Sequence, residues 1–295
     1  MVAVLIALLS SVFWGVSDVL GGIAARGSTV LRATAWAYLG ATVTMLIVVM
    51  ARSGEWSTAM LVAATVAGVT NVLGLLAFYA AFASGPMGPM GAIVGATQAV
   101  VPVVAAVIWK HETLGLVAFA GMGIAILGSV LIGIAEGRGA GRATFRPIIW
   151  AVIAGLFFGS TVTALGMAPH SAGLLTPAVE MVIGLGIIGV LLLAVRGSTR
   201  IGYAFGSIGS TRPGAQPSRR AIGIAVIGGV VLAAANSTEV LALQAGSLAA
   251  VGVVISLYPV TTAVLAWVFL KEHLRALHLI GIAAALGGCA LLALS

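Results

Sequence analysis

The sequence predicts an all-α integral membrane protein with about ten transmembrane helices, arranged as two inverted five-helix repeats. Hydrophobic residues make up 61% of the 295 residues and charged residues only 7%, whereas a soluble domain carries about 25% charged residues. The apolar runs are about 20 residues long, which is the length of a helix that crosses a bilayer. The second half of the chain also repeats the order of spans and turns of the first half.

Each apolar run is bounded by a polar turn, and most of these turns are short. The strands of a membrane β-barrel alternate apolar and polar residues over about ten positions, so the continuous apolar runs exclude a barrel. The predicted spans are 2–24, 31–51, 59–83, 87–109, 114–135, 147–168, 172–195, 221–243, 247–270 and 274–294.

The repeat is clearest at two charged turns. WKHETL follows the fourth span at residues 109–114, and FLKEHL ends the ninth span at residues 269–274. Aligning Glu112 with Glu272 also aligns the fifth span with the tenth. Because each half then contains five spans, an odd number, the second half is inverted relative to the first, as in many secondary transporters.

We therefore divide the chain into a first five-helix repeat, residues 1–137, and a second five-helix repeat, residues 138–295. The second repeat contains a long turn at 196–220 that is rich in Gly, Ser, Pro and Arg. This composition predicts a flexible hydrophilic loop rather than a further domain. Both repeats are expected in the lipid bilayer, with the protein either a monomer or a homodimer.

The basic residues predict an orientation in the membrane rather than a nucleic-acid partner. The net charge is +7, but Lys and Arg lie in turns, where they orient a membrane protein and contact anionic headgroups. The odd-numbered turns carry Arg26, Arg32, Arg138, Arg142, Arg146, Arg196, Arg200, Arg212, Arg219, Arg220, Lys271 and Arg275. The even-numbered turns carry only Arg52 and Lys110. The positive-inside rule therefore predicts that both termini lie outside.

No motif predicts a metal, another cofactor or an enzymatic activity. Cys289 is the single cysteine, which excludes an internal disulfide and a Cys-based metal cluster. No His spacing matches a metal motif, and no P-loop for ATP hydrolysis occurs. If the inverted repeats form a transporter, the energy for transport would therefore come from a proton gradient or from substrate exchange rather than from ATP. The acids within the spans, Asp18, Glu180 and Glu239, do not form the paired Asp-rich motifs of a prenyltransferase. No His lies deep in a span, as an intramembrane protease with a Ser–His pair would require.

The order of these motifs resembles a known family. SVFWGVSDVLGG at residues 11–22, SLYPVTTAVLAWVFLKEHL at residues 256–274 and the glycine-rich last span resemble the EamA-type transporters of the drug/metabolite transporter superfamily. The resemblance covers nearly the whole chain. The chain departs from the family at the glycine before the turn acid, which is replaced by His111 and by Lys271. The family is also often described with cytoplasmic termini, in conflict with the charge count, and we keep the charge-based prediction.

The resemblance implies a ten-helix carrier of the bacterial inner membrane that exports small organic metabolites, such as amino acids or amphipathic and cationic compounds. Alternating access would expose a central cavity between the two repeats to each side in turn. A flippase for lipids or lipid-linked substrates, built on the same fold, is the alternative. Such a flippase would need basic residues deep enough to bind a phosphate, and no Lys or Arg lies mid-span.

Three acids within spans are the first candidates for the site, because polar groups inside the bilayer are costly. Glu180 is predicted near the middle of the seventh span, either as a proton- or substrate-coupling carboxylate or as a neutral acid that hydrogen-bonds a neighbouring helix. Asp18 follows Trp14 by one helical turn on the first span. That pair either lines a cavity for a cationic or amphipathic ligand or lies at the interface near Arg26. Glu239 either belongs to the same site or hydrogen-bonds a neighbouring helix.

Neutral polar residues near two prolines extend this candidate set. A proline inside a span frees a carbonyl, which neighbouring polar groups or a ligand can satisfy. The candidate substrate-binding residues are Trp14, Asp18, Asn71, Tyr79, Gln98, Pro102, Glu180, Asn236, Glu239, Ser256, Tyr258 and Pro259. Glu112 and Glu272, by contrast, lie in turns beside lysines and are predicted to act as caps or turn ion pairs.

Overall fold

The computed structural model describes residues 1–26, 28–51, 54–84, 87–137, 145–197, 218–261, 264–265 and 276–294. Long apolar sequences with few charges form helices throughout, since a helix satisfies its own backbone groups in lipid. The helices are α1 (Val2–Arg26), α2 (Val30–Ala51), α3 (Thr58–Ser84), α4 (Met87–Ile108), α5 (Leu116–Gly137), α6 (Phe145–Met167), α7 (Leu175–Gly197), α8 (Arg219–Ala245), α9 (Leu248–Ile255) and α10 (Ala276–Leu294).

The ten helices named above, all within the described ranges, follow the ten predicted spans, and the prediction of an all-α membrane fold is confirmed. Every described boundary lies within three residues of its predicted position, except the end of the ninth span. There α9 ends at Ile255, a turn follows, and helical backbone resumes at Tyr258. Among the described residues, six helices are long and apolar enough to cross a membrane by length and composition. Shorter apolar stretches lie in α4, α5 and α10, and a fourth extends from α9 to Thr261. Most of the predicted loop at 196–220 lies outside the described residues.

The packing of the helices has two-fold pseudo-symmetry. Helix α1 packs on α8, and its counterpart α6 packs on α3. In the same way α2 packs on α8 as α7 packs on α3, and α9 packs on α1 as α4 packs on α6. The pairs α2–α7, α4–α9 and α5–α10 meet their own counterparts. Each repeat therefore completes its core with helices from the other repeat.

Small residues bring the counterparts α5 and α10 into close contact. A Cβ atom added to Gly128 would lie 2.5 Å from the backbone nitrogen of Ala285, and one added to Gly288 would lie 2.5 Å from that of Ala125. Such distances leave no room for a side chain at either glycine. Small residues allow this approach in membrane helices, where packing drives association.

Two buried apolar clusters meet at Trp14. One cluster combines residues mainly from α1, α4, α5, α6, α8, α9 and α10, and the other combines residues from α2, α3, α7 and α8. The Trp14 side chain packs against both clusters. It therefore lies where these two clusters join, and its indole also contacts Glu239, the first of the polar residues described next.

Candidate functional site

The indole of Trp14 holds the carboxylate of Glu239. Trp14 Nε1 donates a hydrogen bond to Glu239 Oε2 at 2.9 Å. Helices α1 and α8 run antiparallel, because Ser10 contacts the carbonyl of Ala235 and Ser17 that of Gly228. Helical side chains lean toward the N-terminus of their own helix, so these two side chains converge from opposite directions. The pairing joins the first repeat to the second.

Asn71 holds the second buried acid in the same way. Its Nδ2 atom donates to Glu180 Oε1 at 2.8 Å. Gly68, one turn earlier on α3, permits the close approach of α7, since a Cβ there would lie 2.9 Å from the Ile183 side chain. The prediction that Glu180 lies near mid-span was wrong. Helix α7 begins at Leu175, which places Glu180 in its second turn.

Both carboxyl groups are shielded and only half satisfied. Glu180 is 0% exposed and Glu239 is 1% exposed. One turn of α2 links their helices, because Thr42 donates to the carbonyl of Met181 and Ser237 donates to the sulfur of Met45. One oxygen of each, Glu180 Oε2 and Glu239 Oε1, has no hydrogen-bond partner among the described residues. No cation in the same part of the chain forms an ion pair with either group. Buried groups in this state are costly unless a proton or a ligand satisfies them.

Two further oxygens without partners lie on the same helix faces. Asn236 precedes Glu239 by three residues; its Nδ2 atom donates to the carbonyl of Leu232 at 3.2 Å, which leaves Oδ1 without a described partner. Thr176 precedes Glu180 by four residues, and its hydroxyl likewise has none. Sequence reasoning missed Thr176, although its i, i+4 spacing from Glu180 places both on one face of α7.

Asp18 and Tyr258 belong to neighbouring segments, since α1 packs on α9. Asp18 lies one turn beyond Trp14 on α1 and is half-buried. Tyr258 is buried, at the point where helical backbone resumes after α9. Asp18 therefore lies on the helix that packs against the segment before the break. The sequence also allowed a pair between Asp18 and Arg26. The side chain of Arg26 lies outside the described set, so that alternative stays a prediction.

The two proline-containing spans contact each other. A Cβ added to Gly252 on α9 would lie 2.4 Å from the ring of Pro102 on α4. Pro102 cannot donate to the carbonyl of Gln98, and Gly159 of α6 packs on that carbonyl, since a Cβ there would lie 2.6 Å away. The Gln98 side chain is buried, and its Oε1 atom has no partner in the described part of the chain.

The helix break lies before Pro259 rather than at it. Ser256 follows the last residue of α9, and its hydroxyl donates to the carbonyl of Val253 at 2.7 Å. Because the hydroxyl bonds its own helix, Ser256 stabilises the break. Among the predicted site residues, the side chain of Tyr79 lies outside the described set.

Glu112 caps a helix of the other repeat, as the prediction of a cap or turn ion pair allowed. Its carboxylate accepts hydrogen bonds from Ser247 Oγ at 2.5 Å and from the backbone nitrogen of Leu248 at 2.9 Å. Carboxylates stabilise helix N-termini in this way. Lys110 Nζ donates to the carbonyl of Gly166 at 2.6 Å, at the end of α6. The turn after α4 thus holds two helices of the second repeat. Glu272 lies outside the described residues.

Comparisons with known proteins agree with this architecture. A model described as the EamA-like transporter family matches residues 1–134 and residues 145–294. A search of curated proteins finds no match. A crystal structure whose title names no activity is similar to this chain, with a TM-score of 0.78 over 99% of this chain and 96% of the other. At 15% sequence identity, that similarity shows a shared fold alone.

Proposed function

Because this chain belongs to the EamA-like transporter family, we propose that it exports small organic metabolites, such as amino acids or amphipathic and cationic compounds, as a secondary transporter. Family membership makes it a multi-pass membrane transporter with a small-molecule substrate. Our proposal adds the direction, the substrate class, alternating access and a binding region around Trp14, Asn71, Glu180 and Glu239.

The observation that carries the proposal is the pair of hydrogen bonds between repeats. Glu180 and Glu239 belong to the second repeat, whereas Asn71 and Trp14 belong to the first. In inverted-repeat transporters the repeats move against each other around the substrate site. Such a movement would change the partners of both acids. Substrate binding and the movement of the repeats would then be coupled through the same two carboxyl groups.

Protons are the proposed coupling ion. A charged carboxylate is costly inside a membrane protein unless it is paired, and no cation among the described residues pairs with Glu180 or Glu239. Binding a proton removes that charge and gives the free oxygen a hydrogen to donate. Release of the proton on the other side would restore the charged form. One proton entering for each substrate that leaves would drive export.

Transport by purified protein in liposomes tests this proposal. A panel of radiolabelled amino acids and organic cations is offered with and without an imposed pH gradient, which should accelerate the movement of at least one compound. We expect Glu180→Gln and Glu239→Gln to remove this acceleration, because an amide cannot carry the proton while it keeps an oxygen for Asn71 or Trp14.

The matched control is Glu55→Gln, since Glu55 is an exposed acid in a turn. Equal acceleration in wild type and both variants would refute proton coupling through these acids. Movement of a fluorescent lipid across the bilayer, without movement of any soluble compound, would instead support a flippase.

The orientation is a separate proposal. From the basic residues of the odd-numbered turns we infer an inner-membrane protein whose termini lie outside. Alkaline phosphatase fused to the C-terminus is active only outside, and green fluorescent protein only inside. Strong phosphatase activity and weak fluorescence are expected, and the reverse result would place the termini in the cytoplasm.

A further inference from the structure

We propose that the buried region around Glu180 and Glu239 recognises its ligand through N–H groups, and that it therefore binds primary ammonium compounds in preference to fully methylated ones. This inference rests on the proposed function, because it names the substrate class of the same site. It concerns the ligand rather than the coupling ion or the direction of transport.

The first argument is a surplus of hydrogen-bond acceptors. Thr176 Oγ1, Glu180 Oε2, Asn236 Oδ1 and Glu239 Oε1 all lack partners among the described residues. The four residues are each 0% or 1% exposed, and they occupy one face of α7 and one face of α8. An amide oxygen and two carboxylate oxygens can only accept hydrogen bonds unless a carboxyl is protonated.

The second argument is that no described donor contacts these oxygens. Trp14 Nε1 and Asn71 Nδ2 donate to the acids, and Asn236 Nδ2 donates to its own helix. Each amide keeps a second N–H, but no side chain in the described part of the chain donates to the free oxygens. Because an unsatisfied buried acceptor costs free energy, the complementary ligand is one that supplies several donors. An alkylammonium group has three N–H donors in a compact volume.

The third argument concerns charge and shape. Two acids without a described cationic partner favour a cation and disfavour an anion. Trp14 lies beside Glu239 and packs against both apolar clusters, so an apolar part of the ligand can contact its ring. A quaternary ammonium compound could contact the ring as well. It has no N–H group, however, and would leave the oxygens of Asn236 and the two acids without donors.

A methylation series measures this preference directly. Thermal unfolding of the purified protein is followed with hexylammonium, its N-methyl, N,N-dimethyl and N,N,N-trimethyl derivatives, hexanoate and hexanol. Ligands that bind the folded state raise its apparent stability. We expect hexylammonium to raise the Tm, the shift to fall with each methyl group, and at least tenfold weaker apparent binding for the trimethyl compound. Hexanoate and hexanol should have no effect.

Variants then assign the effect to this region. Glu239→Gln and Asn236→Ala should each reduce the response to hexylammonium at least fivefold, whereas Glu55→Gln should leave it unchanged. The wild-type series needs no variant, so misfolding of one variant does not prevent the test. Equal shifts along the series, a larger shift with the trimethyl compound, or a shift with sodium chloride alone would each overturn the inference.

Liposome transport separates this inference from the proposed function. Preferential binding of hexylammonium without any transport would support the ligand class and contradict the proposed transport. Proton-driven transport of anions or neutral compounds, together with no binding of hexylammonium, would support the transport function and overturn the ligand class.

Discussion

The interface between α1 and α8 and its pseudo-symmetric counterpart between α6 and α3 match in the positions of their residues but differ in their chemistry. Trp14–Gly15 in α1 matches Phe158–Gly159 in α6. Glu239 and Phe78 each lie at the same position, the twenty-first, of a 27-residue helix. Trp14 therefore donates a hydrogen bond to Glu239 where Phe158 contacts Phe78 edge to face, with ring centroids 6.0 Å apart.

The second polar pair is asymmetric as well. Gly68 of α3 packs on the carbonyl of Glu180, and its counterpart Gly229 of α8 packs on the carbonyl of Ala37. By this match Ala37 occupies in α2 the position that Glu180 occupies in α7. Steric requirements are thus kept in both repeats, whereas the two acids that are fully buried in the described part of the chain, Glu180 and Glu239, belong to the second repeat. We infer that small residues maintain the fold and that the asymmetric polar groups carry the function.

The largest expected effect tests whether the small residues maintain the fold. A Cβ added to Gly229 would lie 2.0 Å from the carbonyl oxygen of Ala37, and backbone cannot move away as a side chain can. We expect Gly229→Ala to lower the free energy of unfolding by about 3 kcal/mol or more, at the upper end of overpacking costs. Unfolding of purified protein in detergent measures this change.

Gly223→Ala provides the control, because the same helix leaves nothing within 4 Å of an added Cβ there. Its expected effect is a small gain in stability from the higher helix propensity of Ala. Equal stability of the two variants would show that the close approach of α8 to α2 is not required.

The next effect concerns the polar interface. Trp14→Phe gives the α1–α8 interface the aromatic character of the α6–α3 interface and removes the hydrogen bond to Glu239. We expect transport to fall about 10- to 100-fold, equivalent to about 1.4–2.7 kcal/mol in the barrier, with a much smaller change in the Tm. Liposome transport and thermal unfolding are measured on the same preparation. A fall in the Tm that accounts for the whole loss of transport would indicate a structural role instead.

The sequence predicted the helices well and the pairings poorly, for physical reasons. Span positions depend on the length of apolar runs, which the sequence shows directly. Trp14 and Glu239 were both predicted site residues, but Trp14 was grouped with Asp18 because only local spacing can be seen in a sequence. The observed pair is separated by 225 positions, and its contact depends on how the repeats pack.

The helix break illustrates a second limit. A proline in a span indicates a disturbed helix, yet the position of the break depends on which backbone groups find partners. Near Pro259 the break lies at Ser256, whose hydroxyl bonds the preceding turn. Near Pro102 helix α4 continues, because α6 and α9 pack closely around the ring and the free carbonyl.

A smaller effect is expected at the turn after α4. Glu112→Gln removes the charge that caps α9 but keeps one acceptor oxygen, so the free energy of unfolding should fall by about 1 kcal/mol, within the range of helix caps. Glu55→Gln is again the control. Measuring Glu272→Gln beside them compares the two copies of the turn motif. An unchanged stability in Glu112→Gln would contradict the role of this carboxylate as a cap.

The smallest effect belongs to the aromatic interface. Phe158→Leu keeps an apolar side chain of similar length but removes the edge-to-face contact with Phe78. Aromatic pairs of this kind stabilise a protein by about 0.5–1.5 kcal/mol. We expect that loss of stability and no loss of transport per folded molecule, because no buried acid lies at this interface. The opposite result, in which Phe158→Leu reduces transport as strongly as Trp14→Phe does, would mean that both interfaces act in transport. The presence of Glu180 and Glu239 in the second repeat alone would then not indicate where the substrate binds.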